Sequence, residues 1–119
     1  MLTDETRAAV HDGATALGIE LGSTRIKACL TALDGRVIAT GGHTWDNQLV
    51  DGRWTYDLAD VTRGLAAAYA DLVATLGVAP ARIGALGVSA MMHGYLAFDA
   101  HSELLVPFRT WRNTSTGRE

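Results

Sequence analysis

Apolar residues in the first half of the chain fall into short runs separated by turn residues, a pattern typical of strands. Three such runs occupy residues 16–21, 26–33 and 37–44. Gly22-Ser23-Thr24 separates the first run from the second, and Asp34-Gly35 separates the second from the third. Asp-Gly between two strand-like runs is a strong hairpin signal. The sequence therefore predicts a meander of three strands, followed by another turn at Asp51-Gly52.

A helical spacing replaces this pattern in the second half of the chain. The apolar positions that repeat at the helical period are Val61, Leu65, Tyr69, Leu72 and Leu76. Asp57 is the predicted N-cap of this helix, and Gly77 is its predicted end. The run 83–89 then predicts a fourth strand, whose near-continuous apolarity is typical of a strand covered on both faces. A final hairpin is predicted from Tyr95–Phe98 and Leu104–Val106.

The N-terminal segment predicts a short helix over residues 3–11, which Thr3 caps and Gly13 ends. We interpret residues 1–15 as a lead-in outside the core and residues 16–119 as one incomplete domain. The order of three strands, a helix and a returning strand predicts an α/β fold, with a mixed sheet and a helix packed on it. That order is also typical of the opening part of a ribonuclease H-like, or actin-like, ATPase domain.

Composition and charge exclude several classes of partner. The 119 residues are 48% apolar and 19% charged, and the net charge is −3, with scattered Lys and Arg, which argues against binding to nucleic acid. No apolar run approaches the roughly 20 residues that span a bilayer, and the acidic N-terminus lacks the pattern of a secretory signal. Cys29 is the single cysteine, so it forms no internal disulfide. We therefore expect a cytoplasmic protein that contacts no membrane.

The first segment with candidate chemistry is the turn between the first two predicted strands. Glu20 lies near the end of one strand, and Gly22 permits a tight turn that approaches a ligand closely. Backbone N–H groups and the hydroxyls of Ser23 and Thr24 are donors suited to phosphate oxygens. Glu20 could hold a hydrated Mg²⁺, and Lys27 could compensate phosphate charge. The alternative is an ordinary hairpin turn with a solvated lysine.

Residues 20–27 resemble the first phosphate motif of actin-like ATPases, which runs Asp-x-Gly-Thr/Ser-x-x-x-Lys. The resemblance implies that ATP and Mg²⁺ are the cofactors. It also implies that Glu20 assists Mg²⁺–ATP and that Gly22, Ser23, Thr24 and Lys27 surround the phosphates. Glu20 stands where the motif has Asp, so its side chain is one methylene longer.

The second segment, residues 83–94, resembles the FGGY carbohydrate kinases and especially their xylulokinase-like members. In that family a strand ending in Ser leads into a Gln-Met-His-Gly type of loop that lines the sugar pocket. Met92-His93-Gly94 matches this loop, whereas Met91 replaces the polar residue before it. The resemblance implies that Met92, His93 and Gly94 contact the sugar. The alternative is a core histidine with methionines as ordinary core residues.

The third segment, residues 96–114, resembles the family hairpin that continues into Pro-x-x-x-Trp-x-Asp. This last motif begins here at Pro107. Trp111 can stack on a sugar ring, and Arg109, Arg112 or Asn113 can reach sugar hydroxyls. Asn113 replaces the Asp that relatives often carry, and an amide can donate where a carboxylate only accepts. The alternative for Trp111 is a hydrophobic anchor among solvated arginines.

The three resemblances together imply an ATP-dependent carbohydrate kinase that phosphorylates a hydroxyl of a small sugar or polyol. The general-base Asp of the family is expected beyond Glu119, so the chain alone should not turn over. The full-length protein could be a homodimer. Two alternatives remain: a non-catalytic module with the actin-like ATPase fold, and an ATPase activator of the 2-hydroxyacyl-CoA dehydratase type.

The remaining histidines and aromatic residues carry weaker signals. The histidines His11, His43 and His101 share no metal-ligand spacing, so surface or turn positions are expected for them. The aromatic residues Trp45, Trp54 and Tyr56 flank the Asp51-Gly52 turn, and they predict a small cross-strand cluster.

Overall fold

The chain forms two helices and six strands within the residues that the computed structural model describes, which are 1–92, 94–110 and 112–113. The helices are α1 (Asp4–Asp12) and α2 (Leu58–Leu76). The strands are β1 (Thr15–Leu21), β2 (Arg25–Ala32), β3 (Val37–Thr44), β4 (Gln48–Val50), β5 (Arg53–Thr55) and β6 (Ala85–Ala90). The two predicted helices and the first four predicted strands are therefore present, with bounds that differ by no more than two residues.

Four of the strands form a mixed sheet in the order β3-β2-β1-β6. The β1/β2 and β2/β3 pairs are antiparallel, as the turns at 22–24 and 34–35 predict, and β1/β6 is parallel. Strands β4 and β5 form a separate hairpin around Asp51 and Gly52, both of which have positive φ. This arrangement confirms the predicted fold class, a mixed α/β sheet with a helix packed on it.

Helix α2 packs on β2 and β3 through one apolar face. Asp57 caps it by accepting a hydrogen bond from the Ala59 N–H at 2.9 Å. Its buried residues Ala68, Leu72 and Leu76 join the core with the strand residues Ile26, Ala28 and Leu30. Strand β3 approaches the helix so closely that a Cβ on Gly41 would lie 2.2 Å from the Leu72 nitrogen. Beside it, the Gly42 N–H donates to Asp71 Oδ2 at 2.9 Å.

Helix α1 is capped as predicted, because Thr3 accepts from the Thr6 N–H and Gly13 takes a left-handed conformation. The expectation that this segment lies outside the core is wrong. Val10 is 3% exposed and belongs to the same core cluster as the sheet residues. An apolar side chain on a short amphipathic helix is stabilised by burial against the sheet. The division into residues 1–15 and 16–119 stays a prediction.

Strand β6 departs from expectation in its surroundings. All six of its residues are exposed, including Leu86 and Val88, so the prediction of a strand covered on both faces is wrong for the described chain. The physical reason is that β6 is an edge strand and α2 packs over β2 and β3 instead. The apolar side chains of β6 have no described element above them.

The predicted hairpin after β6 is only partly formed. Tyr95 bridges Arg109 and Phe98 bridges Leu104, but these are isolated bridges and not strands. Asp99 holds the intervening loop, since its Oδ1 accepts from the His101 and Glu103 amides at 2.7 and 3.0 Å. Neither described helix is long and apolar enough to cross a membrane.

Candidate functional site

Two chain segments with predicted chemistry leave the same edge of the sheet. β1 and β6 are parallel and in register from Ala16 opposite Ala85 to Leu21 opposite Ala90, so their carboxyl ends coincide. The Met91 N–H donates to the Leu21 carbonyl at 2.9 Å, which fixes the start of the loop after β6 beside the turn after β1. Ligands of open α/β sheets bind in the crevice at the carboxyl ends of strands. This edge is therefore the candidate site.

The turn at residues 22–24 closes tightly because the Gly22 N–H donates to the Arg25 carbonyl at 2.9 Å. A Cβ on Gly22 would lie 2.8 Å from that same carbonyl oxygen, so a larger residue would open the turn. No described residue hydrogen-bonds to the amides or hydroxyls of Ser23 and Thr24. The turn thus presents four donors at the site edge that no described residue uses, and its role in binding phosphate stays a prediction.

The carbonyls of the turn are all occupied from one side. Trp45 Nε1 donates to the Gly22 carbonyl at 2.8 Å, and the Tyr56 hydroxyl donates to the Ser23 carbonyl at 2.5 Å. The Trp45 amide donates to the Thr24 carbonyl at 3.1 Å. The sequence analysis singled out the turn but did not connect it to these two aromatic residues.

Glu20 faces the open side of the sheet beside the turn. It is the partner of Lys27 on the neighbouring strand β2, and Lys27 Nζ lies 3.5 Å from Glu20 Oε2. Both side chains are about half exposed, at 54% for Glu20 and 55% for Lys27, so the pair contributes little stability and both groups stay accessible. On the other side, Ser89 of β6 is in register with Glu20 and is exposed.

An open cavity of about 700 Å³ lies over this part of the sheet. Its charged and polar lining includes Glu20, Lys27 and Ser89, together with Arg25 and with Asp71 of α2. Two cations and two carboxylates therefore face one concave surface, whose other lining residues are mostly small and also include Ile19 and Val88. Ser89 was not predicted as a site residue, although its register with Glu20 follows from parallel pairing of β1 and β6.

The Glu20 carboxylate beside the turn is a ligand of the kind that Mg²⁺ prefers. Within the part of the chain that the structure describes, no three acidic, histidine or cysteine residues come together as a metal cage. Mg²⁺ in phosphoryl-transfer sites is bound through one or two carboxylates plus phosphate oxygens and water, so a cage is not required. Glu20 is an accessible carboxylate beside four free donors. These residues fit Mg²⁺ bound together with a phosphate-bearing ligand.

The residues predicted for the sugar are only partly described. His93 and Trp111 lie outside the described residues. Met92 is 73% exposed. Gly94 packs on Phe108, since a Cβ on Gly94 would lie 2.9 Å from the Phe108 ring. A second cavity of about 430 Å³ lies next to them, and its lining is almost wholly apolar.

Asn113 is engaged within the chain. Its Oδ1 accepts from the Trp54 N–H at 2.9 Å, and its Nδ2 donates to the carbonyls of Trp54 at 2.7 Å and Thr110 at 3.1 Å. Both amide hydrogens are therefore used, and one lone pair of Oδ1 remains. Arg109 exchanges backbone hydrogen bonds with Tyr95, and the Arg112 guanidinium lies 5.0 Å from the Trp54 ring centre. The predicted contacts of these residues with sugar stay predictions.

The aromatic cluster differs from the one predicted. Trp45 and Tyr56 stack with ring centres 4.2 Å apart, and Tyr56 also meets the Phe108 ring at 5.5 Å. Trp54 is outside the stack because it points toward Arg112 instead. Burial raises the pKa of Tyr56 above its ordinary value of 10.0, the Asp46 carboxylate adds to this, and the Arg112 guanidinium opposes it.

The histidines take the positions expected for two of the three. His11 and His101 are exposed, whereas His43 is a half-buried residue of β3 whose ring lies beside Gly64 of α2. The expectation of a surface or turn position is wrong for His43. Its strand position makes it part of the contact between α2 and the sheet.

Comparison with known proteins identifies the sequence family. Residues 15–119 match the sequence model described as the FGGY family of carbohydrate kinases, N-terminal domain. No curated protein matches the chain in sequence.

Several solved structures share the fold. A xyloylose kinase from Brucella ovis superposes with a TM-score of 0.77 at 25% identity, over 86% of this chain and 22% of that one. A gluconate kinase from Lactobacillus acidophilus gives 0.70 at 22% identity, over 84% of this chain and 20% of that one. A ligand-bound xylulose kinase from the same organism gives 0.67 at 22% identity, over 82% and 19%. The chain thus spans about a fifth of the length of the structures it matches.

Proposed function

Because the chain belongs to the FGGY family of carbohydrate kinases, we propose that the protein carrying it transfers the γ-phosphoryl group of ATP to a hydroxyl of a small sugar or polyol. The observation that carries this proposal is the turn at residues 22–24. Its carbonyls accept hydrogen bonds from Trp45 and Tyr56, and no described residue uses its amides and hydroxyls. The accessible carboxylate of Glu20 lies beside it. Such a turn suits phosphate oxygens and a bound cation.

On the phosphate side, the Ser23 and Thr24 amides and hydroxyls would bind phosphate oxygens of ATP. Gly22 keeps the turn narrow enough for this approach. Lys27 would place its ammonium against phosphate charge while remaining within reach of Glu20. Phosphoryl transfer depends chiefly on positioning and on stabilisation of charge. These residues supply both.

Glu20 would hold Mg²⁺, directly or through water. When bound, the ion neutralises charge on the phosphate oxygens. The carboxylate is longer by one methylene than the Asp of the motif, and its pairing with Lys27 places it at the strand end, close to the turn. Glu20 would therefore hold the ion beside the donors that bind the phosphate oxygens.

On the sugar side, Met92, His93 and Gly94 would border the substrate with Arg109 and Trp111. Asn113 would have a double role, because its amide hydrogens are donated to the carbonyls of Trp54 and Thr110 and one lone pair of Oδ1 is left for a sugar hydroxyl. The neighbouring structures include xylulose and gluconate kinases. We therefore leave the sugar open between ketoses and sugar acids.

The general base would be an Asp in residues beyond Glu119, as the resemblance implies. No described residue is assigned that role, and the chain alone should bind without turning over. We place the protein in the cytoplasm, since its single cysteine forms no internal disulfide. The dehydratase-activator alternative is disfavoured by the family assignment.

The test is a sugar-phosphorylation panel with Mg²⁺–ATP, using the protein as encoded by its gene and including xylulose and gluconate as acceptors. We expect phosphate transfer to at least one acceptor. Glu20→Gln should raise the Mg²⁺ concentration needed for half-maximal rate by about tenfold or more, because a ligand charge is lost. The matched control is Glu103→Gln in the exposed loop after β6, which should leave this concentration unchanged.

One outcome would contradict the kinase proposal, and another would contradict only the role of Glu20. Binding of Mg²⁺–ATP with no transfer to any acceptor would favour a non-catalytic module. An unchanged Mg²⁺ dependence in Glu20→Gln, with transfer intact, would remove Glu20 from the metal site and leave the kinase assignment standing.

A further inference from the structure

We propose that Trp45 and Tyr56 are positioning residues, which orient the turn at residues 22–24 so that its amides face a phosphate group. This inference rests on the proposed function for the identity of the ligand. We call the two residues the aromatic brace. Each residue donates its side-chain hydrogen to a carbonyl of the turn, so it acts on the turn and is not assigned a contact with a ligand.

The direction of the amides follows from peptide geometry. In a trans peptide the C=O of one residue and the N–H of the next point in opposite directions. The Gly22 carbonyl points to Trp45 Nε1, so the Ser23 N–H points away from the brace. The Ser23 carbonyl points to the Tyr56 hydroxyl, so the Thr24 N–H also points away from it. Two successive amides are therefore turned outward because two successive carbonyls are held inward.

The brace is rigid enough to set this orientation. Trp45 is 8% exposed and Tyr56 is 3% exposed, and their rings stack at 4.2 Å with 23° between the planes. The Asn47 Nδ2 donates to the Tyr56 hydroxyl oxygen at 3.0 Å, which leaves the hydroxyl hydrogen directed at the Ser23 carbonyl. Buried side chains with satisfied donors have few alternative conformations.

The brace also reaches the predicted sugar segment. The Tyr56 ring meets Phe108 at 5.5 Å, and Phe108 in turn packs on Gly94. Trp54, two residues before Tyr56, is bound through its backbone to Asn113. Tyr56 thus connects the turn at residues 22–24, through Phe108, to Gly94 of the predicted sugar segment.

The decisive variant is Tyr56→Phe, which keeps the ring and its stacking but removes the donor to Ser23. We expect the KM for Mg²⁺–ATP to rise about tenfold, because the turn loses one buried hydrogen bond that fixes its amides. The KM for the sugar should stay the same. The matched control is Tyr69→Phe on α2, whose hydroxyl has no hydrogen bond to any described residue and whose removal should change neither constant.

A second measurement does not depend on catalysis. Hydrogen–deuterium exchange of the Gly22 amide, whose bond to the Arg25 carbonyl closes the turn, should be faster in Tyr56→Phe than in the wild type and in Tyr69→Phe. Trp45→Phe should have the same effect through loss of the bond to the Gly22 carbonyl. Thermal melting of each variant separates a local change in the turn from general unfolding.

The outcomes separate this inference from the proposed function. The wild-type protein could phosphorylate no acceptor while the Gly22 amide still exchanges faster in Tyr56→Phe. This result would support the brace and overturn the kinase proposal. An active kinase whose Tyr56→Phe variant keeps the wild-type KM for Mg²⁺–ATP and the wild-type exchange would overturn the brace. Equal losses in the constants for ATP and sugar, together with a lowered melting temperature, would also overturn it, because the role would then be structural.

Discussion

At the scale of single residues, Tyr56 connects burial to pH dependence. The pKa of its phenol is raised because burial disfavours the phenolate and because Asp46 lies near, while Arg112 acts in the opposite direction. The hydroxyl also donates to the Ser23 carbonyl, a bond that the phenolate cannot make. The neutral form is therefore the one that the fold requires.

This gives a prediction with a definite sign. A folded pKa above the unfolded value leaves the contribution of Tyr56 to stability intact below pH 10.0 and removes it as pH rises from there through the folded pKa. We expect the free energy of unfolding to fall more steeply above that pH in the wild type than in Tyr56→Phe. Urea titrations from about pH 8 to about pH 11 measure it, with Tyr69→Phe as the control. Parallel curves for wild type and Tyr56→Phe would contradict the prediction.

The residue contacts were predictable in part. A two-residue turn at Asp34-Gly35 would place Thr24 opposite Trp45, and their backbones are hydrogen-bonded, although this register is reached only through a shift between Leu30 and Thr31. The link from Tyr56 to Ser23 could not be found in this way. It depends on the path of the β4–β5 hairpin, which no periodicity specifies. Asn113 similarly contacts Trp54 across 59 positions of sequence, a separation at which pattern carries no information.

At the scale of the elements, the contact between α2 and β3 depends on a missing side chain. Gly41 lets the helix backbone approach the strand, and a Cβ there would lie 2.2 Å from the Leu72 nitrogen and 2.3 Å from the Ala68 carbonyl oxygen. Both are main-chain atoms, so a rotamer change cannot relieve the overlap. The whole helix would have to move away from the sheet.

Gly41→Ala should therefore lower the free energy of unfolding by about 3 kcal/mol, as expected for overpacking against backbone. Gly87→Ala is the matched control, because a Cβ on this strand glycine meets nothing within 4 Å in the described chain. It should change stability by no more than about 0.5 kcal/mol. Urea denaturation of both variants gives the comparison. Equal midpoints for the two variants would show that α2 is not held where the structure places it.

The elements themselves were predicted better than their surroundings. Apolar runs between turn residues identify β1, β2 and β3, and the helical spacing identifies α2. The caps at Thr3, Asp57, Gly13 and Gly77 are the residues that the sequence suggests. The failures are of environment: Val10 is buried where a lead-in was expected, and β6 is exposed where cover was expected. Apolarity records which residues favour burial, but the partner that covers them comes from elsewhere in the chain.

At the scale of the whole molecule, the sheet carries an apolar surface along β6. Leu86 is 67% exposed and Val88 is 64% exposed, and they lie in register with the core residues Leu17 and Ile19 of β1. An exposed edge strand with apolar side chains is a template for association. The chain spans about a fifth of the length of the solved kinases it matches, so the prediction that follows concerns the 119-residue chain by itself.

We expect the 119-residue chain, prepared by itself, to bind a hydrophobic dye and to associate in a concentration-dependent way. A double variant with Leu86→Lys and Val88→Lys should reduce both effects, because charges on an edge strand oppose pairing. The control is Leu33→Lys, which changes a residue that is 72% exposed but lies in the hairpin turn between β2 and β3. Sedimentation velocity and dye fluorescence measure the two effects. A monomeric wild-type chain without dye binding would contradict the prediction.

The hydrogen bond from the Gly42 amide to Asp71 gives the sheet a direction of growth. Gly42 lies on β3, the strand at the edge opposite β6, and its donor is already taken by a carboxylate of α2. A strand that paired with β3 at Gly42 would have to displace that carboxylate. No described strand pairs with the outer edge of β6. A strand added to this sheet is therefore expected to pair with β6, at the edge where the turn at residues 22–24 and the loop after β6 lie side by side.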